Sequence, residues 1–509
     1  MTPARPAWAR LVRALMLGLG ASALIACQTA GGAGGFTGGS VPETTPVRSA
    51  AEQREGDSAH AKIVARFGGA YGDAGVTAYV ERIGRRVAAV SEQPNERWTF
   101  TVLDSPTVNA FAIPGGYVYV TRGLLALAAN EAQLAGVIGH EIGHVTAEHG
   151  SARQDRSAAA GLGLLLGAVG LAVLGADPTV ARGAMELGQA AAGGIVASYS
   201  RQDEIAADHL GIRYLARAGY DPYAQAEFLD SLAASSALDA RAAGRAYDPN
   251  RVDFLASHPA SGPRTRQAID TARAEGAITG TGELGADRYL AAIDGLRWGQ
   301  SPEQGVVEGT SFRHPVLGFG FDAPAGFRLT NTPAAVVAEG PGNARLILDG
   351  ATDPGGALDS YVAGQWAGQI ARQTRAGQIR NVERITIGGL PAARGVLPVT
   401  LQGASFDALL VAVRLDGKLY RFTGLAPSGA RVLGDLDAAA RSFRRLDAAQ
   451  RRAIKGARVE IVTVRAGDTA ESLGQRMAVD ALPVDRFRVL NGLKPGEQPR
   501  PGDRVKLVR

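Results

Sequence analysis

Apolar residues recur at helical spacing through Leu134, Val137, Ile138 and Ile142, so the segment from Asn130 to His144 predicts an amphipathic helix. Upstream, Trp98 to Leu103, about Val108 to Ile113 and Tyr117 to Thr121 alternate like strands, with Pro114-Gly115-Gly116 as a turn. A new helix is predicted at Ser200, where Ser200 and Asp203 form a capping-box start. Near Gly305 the pattern changes. Phe319 to Phe327 reads as a strand and turn, followed by an apolar run from Ala344 to Leu348 and a helix candidate around Leu358 to Thr374. Strands Phe406 to Val413 and Leu419 to Leu425 flank the hairpin pair Asp416-Gly417, and a helix from Leu436 to Leu446 closes this part. The tail from Val459 to Val508 reads as strand, helix, helix, strand, with turns at Gly467-Asp468-Thr469 and Pro501-Gly502-Asp503.

The expected fold class is α+β. A mostly helical domain with a small sheet (58–300) precedes a small α+β sandwich (305–448) and a separate βααβ unit (458–509). Residues 1–27 read as an export signal: Arg5, Arg10 and Arg13 precede an apolar run from Ala14 to Ala26. Residues 28–57, rich in Gly, Thr, Ser and Pro, read as a flexible tether. The ending Leu24-Ile25-Ala26-Cys27 resembles a bacterial lipobox, which implies lipidation of Cys27 and a periplasmic chain tethered to a membrane by its lipid. Gln28 rather than Asp follows the cysteine, which by resemblance to Gram-negative lipoprotein sorting implies the outer membrane. Cys27 is the single cysteine of the 509 residues, so no intramolecular disulfide forms. Composition excludes wholesale disorder, with 46% hydrophobic and 20% charged residues. A net charge of +5 without a dense basic block, and only 6% aromatics, argue against nucleic acid as a partner.

The chemistry lies in His140-Glu141-Ile142-Gly143-His144. His140 and His144 stand one helical turn apart, so both imidazoles project from one face and can hold one Zn²⁺. Glu141 is placed to take a proton from water at the metal. A catalytic zinc needs a third protein ligand and one open position. Ala147 and Gly150 stand where a metzincin has Gly and His, and His149 is read as structural, off the ligand face. Glu204 and Asp208 share a helix face four residues apart. The first can ligate zinc, and the second can accept a hydrogen bond from the far nitrogen of a ligand histidine.

These motifs, His-Glu-Ile-Gly-His and then Ser200-Arg201 leading to Glu204 and Asp208, resemble metallopeptidase family forty-eight, that of the CAAX prenyl proteases, HtpX and the BepA-like periplasmic enzymes. Asn109-Ala110-Phe111-Ala112 and the Ile113-Pro114-Gly115-Gly116 that follows match the family's segment before the zinc helix, as do Ser257-His258-Pro259 and Arg264 downstream. The resemblance implies a gluzincin endopeptidase with Zn²⁺ held by His140, His144 and Glu204. Glu141 would be the general base and acid and Asp208 the partner behind a ligand histidine; His258 is read either as an active-site group (a resting zinc ligand or a hydrogen-bond partner of the tetrahedral intermediate) or as packing before Pro259. Asn109, Ala110, Phe111 and Ala112 would lie on an edge strand that binds extended substrate backbone. The implied substrates are misfolded or misassembled envelope proteins. The tail resembles a LysM module, which implies peptidoglycan as a partner. The central domain resembles the small photosystem-extrinsic and Mog-type sandwiches and shows no catalytic constellation. The uncharged run 157–176 is close to spanning length but rich in Gly, so 157–198 is read as an apolar hairpin over the site or on a membrane. Other readings are a wall-bound assembly factor with a little-used zinc site, and a peptidoglycan amidase.

Overall fold

The structure, a computed structural model, describes residues 50–149, 199–242, 244, 246, 262–278, 280–332, 334–401, 403–479 and 481–509. Cys27, the run 157–198 and His258 lie outside the described residues. Helix and sheet are mixed, as α+β requires. In the first part, helices α1 (Ala50–Arg66) and α2 (Ala74–Ala88) precede strands β1 (Thr99–Leu103), β2 (Ala110–Ile113) and β3 (Tyr117–Thr121). Helices α3 (Arg122–Leu127), α4 (Glu131–Thr146), α5 (Arg201–Arg217), α6 (Ala224–Ala242), α7 (Gly262–Ala274) and α8 (Ala286–Ile293) follow. The sheet order is β1-β3-β2, with β1 parallel and β2 antiparallel to β3. The second strand begins at Ala110 rather than Val108, because the Asn109 N–H donates to the Thr121 hydroxyl at 2.9 Å. Val80, Ile83 and Val87 of α2 meet Phe100, Val118, Leu134, Ile138 and Leu215 in one buried core.

Two features fix α4. At its start, Asn130 Oδ1 accepts the Gln133 N–H at 2.9 Å, an ordinary N-cap. Beside it the fully buried Glu131 accepts from Tyr79 and Tyr220 hydroxyls, each at 2.6 Å, and from Arg288 at 2.6 and 2.7 Å. Burial alone would raise this carboxyl, but Arg288 and the two tyrosines outweigh it and hold it at about 2. Along its length α4 lies against α5 through small residues. A Cβ on Gly139 would come 3.2 Å from Gly211 Cα, one on Gly143 would come 3.2 Å from Ala207 O, and one on Gly211 would come 2.9 Å from His140 N. The neighbours there are backbone, which cannot swing aside. Gly211→Val is therefore expected to cost about 2–3 kcal/mol of stability and to lower metal content. Denaturant unfolding with metal analysis checks this, and a variant as stable and as metal-loaded as wild type contradicts it.

The central domain is built on two sheets. The small one runs β15-β6-β5-β4, from β4 (Val306–Glu308), β5 (Ser311–His314), β6 (Phe319–Asp322) and β15 (Arg444–Arg445). The large one runs β10-β12-β13-β14-β9-β8-β7, with β11 on β12. Its strands are β7 (Arg328–Asn331), β8 (Ala335–Glu339), β9 (Arg345–Thr352), β10 (Arg375–Ala376), β11 (Arg380–Ile387), β12 (Leu390–Leu401), β13 (Ala404–Leu415) and β14 (Lys418–Pro427). The helical stretch 358–373 packs Val362, Trp366 and Ile370 on one face, and helix α9 (Val432–Arg441) with the small sheet covers the other. Cover on both faces explains the unbroken apolar run in β13. The expected helix to Leu446 stops at Arg441, since Arg444 and Arg445 leave it to pair with Gly320 and Phe319 of β6.

The tail contains β16 (Val459–Thr463), α10 (Ala470–Gly474), α11 (Pro483–Leu490) and β17 (Arg504–Val508), with β16 and β17 antiparallel. Read from sequence as a separate unit, it is docked on the first part. Val459 N–H donates to Leu296 O at 2.7 Å, Gly295 N–H to Val459 O at 2.8 Å, and Trp298 N–H to Ala457 O at 2.8 Å. Arg486 pairs with Asp239 at 2.6 Å and Arg241 with Asp485 at 2.7 Å. Lys506 is buried, and its Nζ donates to the carbonyls of Ala126, Leu127 and Ala128 at 2.8, 3.1 and 2.8 Å, capping the C-terminal end of α3. Burial pushes this amine down to about 7, whereas three carbonyl acceptors for its three N–H donors favour the charged form. The docking was not readable because complementary surfaces, unlike elements, leave no periodic signal.

Candidate metal centre

The close helix pair brings four ionisable side chains together. On α4, His140 Nε2 and His144 Nε2 stand 3.0 Å apart. On α5, Glu204 places one carboxylate oxygen 3.6 Å from His140 Nε2 and the other 3.5 Å from His144 Nε2. All three side chains are buried, and their donor atoms lie within 4.8 Å of one another. Bonds of about 2.0–2.1 Å to a tetrahedral ion place ligand atoms about 3.3–3.4 Å apart. The observed spacings bracket that value, and two imidazoles with one carboxylate form a donor set that zinc accepts. The residues fit the metal.

Other groups aim these donors. Ser200 and Asp203 form the expected capping box, with Asp203 N–H on Ser200 Oγ at 3.2 Å and Ser200 N–H on Asp203 Oδ2 at 3.0 Å. Glu204 thus falls in the first turn of α5 and Asp208 one turn later. Asp208 Oδ1 lies 2.9 Å from His140 Nδ1, which directs the Nε2 lone pair to the centre. Behind Asp208 stands Arg264 of α7, 5% exposed, whose Nε and Nη2 donate to the two Asp208 oxygens at 2.8 Å each. Its Nη1 lies 2.8 Å from Glu204 Oε2, so one guanidinium clamps the carboxylates of both Glu204 and Asp208. Gln225 of α6 adds a bond to Asp208 Oδ1 at 3.2 Å. Burial works to raise the Asp208 carboxyl, but Arg264 and His140 hold it well below the usual carboxylate range. Glu141 follows His140 on α4 and is buried.

The reading of His149 needs correction. Its Nδ1 lies 2.9 Å from His144 Nδ1, directly behind that imidazole, and Tyr199 stacks on His144 at 3.7 Å between ring centroids. The helical projection that turned His149 away fails because α4 ends at Thr146 and Glu148 takes φ of +54°. Asn109 leads into β2, whose Ala110, Phe111 and Ala112 form the edge of the small sheet and are buried. Arg264 carried a motif match but no role, and Gln225 and Tyr199 carried no signal. Buried partners of a carboxylate are set by which helices pack together, which spacing in one segment does not reveal.

Residues 75–272 match the model of Peptidase family M48. The match covers less than half of the chain. It contains both site helices and Arg264. The chain is 32% identical over 224 residues to a beta-barrel assembly-enhancing protease of Escherichia coli, a match that covers 42% of each chain. It is 29% identical over 191 residues to the mitochondrial metalloendopeptidase OMA1 of Schizosaccharomyces pombe, covering 38% of this chain and 51% of that one. The matched part therefore spans about half or less of these relatives. Among solved structures, cyanobacterial PsbP from Synechocystis aligns at 18% identity over 28% of this chain and 95% of its own, with a TM-score of 0.23, too low to carry a conclusion. Among the described residues no helix is long and apolar enough to cross a membrane.

Proposed function

We propose that the M48 domain is a zinc-dependent endopeptidase of the bacterial cell envelope that hydrolyses peptide bonds in misfolded or misassembled envelope proteins. The observation that carries this is the convergence of His140, His144 and Glu204 beside Glu141. When bound, zinc supplies Lewis acidity towards the scissile carbonyl and the attacking water. Glu141 takes the proton from that water and returns it to the departing amine. Asp208 and His149 orient the two imidazoles from behind, and Arg264 fixes the Glu204 carboxylate. The edge strand β2 pairs with extended substrate backbone, a sequence-tolerant mode that suits unfolded chains. The reading further places the chain on a lipid anchor at Cys27 and gives the tail a peptidoglycan-binding role. The match to the family model and the names of the relatives support this reading, and the donor geometry gives it a mechanism.

The test is metal analysis of the purified chain with cleavage of an unfolded outer-membrane protein. About one zinc per chain, loss of cleavage with a chelator and recovery on adding zinc are expected. A chain without zinc at this site, or cleavage that survives complete removal of the metal, overturns the proposal.

A further inference from the structure

In the central domain a cavity of about 830 Å³ opens between the small sheet and the β9–β14 side of the large one. Small-molecule sites commonly measure about 300–1,000 Å³. Phe312, His314 and Phe319 line one wall, and Leu348, Tyr420 and Lys418 the other. The cavity exists partly because a side chain is missing. Gly350 lies opposite Tyr420 in the strand register and two residues beyond Leu348, hence on the same face, and a Cβ built there meets nothing within 4 Å.

The lining is apolar in body and cationic at the rim. Its two carboxylates are already engaged in two-pronged pairs, Asp349 with Arg421 and Asp353 with Arg414. Lys418 is exposed, and no carboxylate among the described residues lies within ion-pair reach of it. His314 Nδ1 accepts the Leu317 N–H at 3.2 Å, which leaves the ring proton on Nε2. Burial, and then the charge of Lys418, push the imidazole down to about 4, so at neutral pH it is an uncharged N–H donor.

We propose that this cleft binds a single-chain anionic amphiphile, its chain over Phe312, Phe319, Leu348 and Tyr420 and its head on Lys418 and His314. The chain fills the space above Gly350, and the head supplies the counter-charge to Lys418 that the two arginine-paired carboxylates of the lining do not. The site is independent of the metal centre, so neither stands or falls with the other.

Calorimetric titration of the intact chain with decanoate, decyl phosphate and decanol tests this. At least one of the two anions should saturate one site per chain, about fivefold tighter than decanol, the order of one partly exposed ion pair. Binding of decanoate alone assigns a carboxylate head and binding of decyl phosphate alone a phosphate head. Lys418→Gln, an exposed change that leaves the fold intact, should erase the advantage over decanol, and Gly350→Leu should block all three ligands. Absence of saturable binding by either anion, or Lys418→Gln binding the anions as wild type does, overturns the proposal.

Discussion

Glu141→Gln should retain zinc and lose about 10²–10⁴-fold in kcat, the usual range for a positioned general acid–base. The proposed metal donors are His140, His144 and Glu204, so the amide removes none of them. Glutamine also matches glutamate in volume, which matters at a position only 2% exposed within α4. What it lacks is a basic oxygen able to accept and return a proton. The drop should appear in kcat, because in the proposed mode the substrate backbone pairs with β2 and not with this carboxylate. Parallel measurement of turnover and metal content decides. Wild-type turnover in a metal-loaded Glu141→Gln chain removes the proposed role.

Arg264→Ala should be the most damaging change outside the metal donors. The guanidinium meets both oxygens of Asp208 and one of Glu204 at 2.8 Å, and all three side chains are buried. Taking away one partner of such a cluster leaves buried negative charge uncompensated, at a cost of about 3–5 kcal/mol. The loss should show in the metal-free chain, and added zinc should raise the unfolding temperature of the variant by less than that of wild type, since it binds the variant more weakly. Metal affinity should also fall, by about 10–100-fold, because Glu204 and the Asp208–His140 pair lose their anchor. Arg264→Lys restores the charge but not the fork, and should recover stability better than affinity. Thermal unfolding with and without chelator, alongside zinc competition, measures each effect. Equal melting of wild type and Arg264→Ala in chelator contradicts the clamp.

The residues meeting at the centre were legible because helical geometry converts spacing directly into direction. His140 with His144, and Glu204 with Asp208, are each one turn apart, and a capping box marks the start of the second helix. Nothing in either segment states that the two helices touch. Gly139, Gly143 and Gly211 permit that approach, yet isolated glycines in a helix do not announce a neighbour. His149 was misread for a related reason, since its direction depends on a left-handed residue after the helix end. In the central domain the strands with strong apolar runs or a clear hairpin turn were visible. Strands β4, β5, β7, β8, β11 and β12 were not; Arg380–Ile387, for one, is partly exposed and charged and resembles a loop in sequence.

The three carbonyls gripped by Lys506 connect positions 380 residues apart in the chain. A bulky fusion or a truncation that displaced β17 would therefore be felt at the threshold of α4, far from the cut. During synthesis the same geometry leaves α3 without its cap until the ribosome has delivered residue 506, so this corner of the first part ripens only after the tail has emerged.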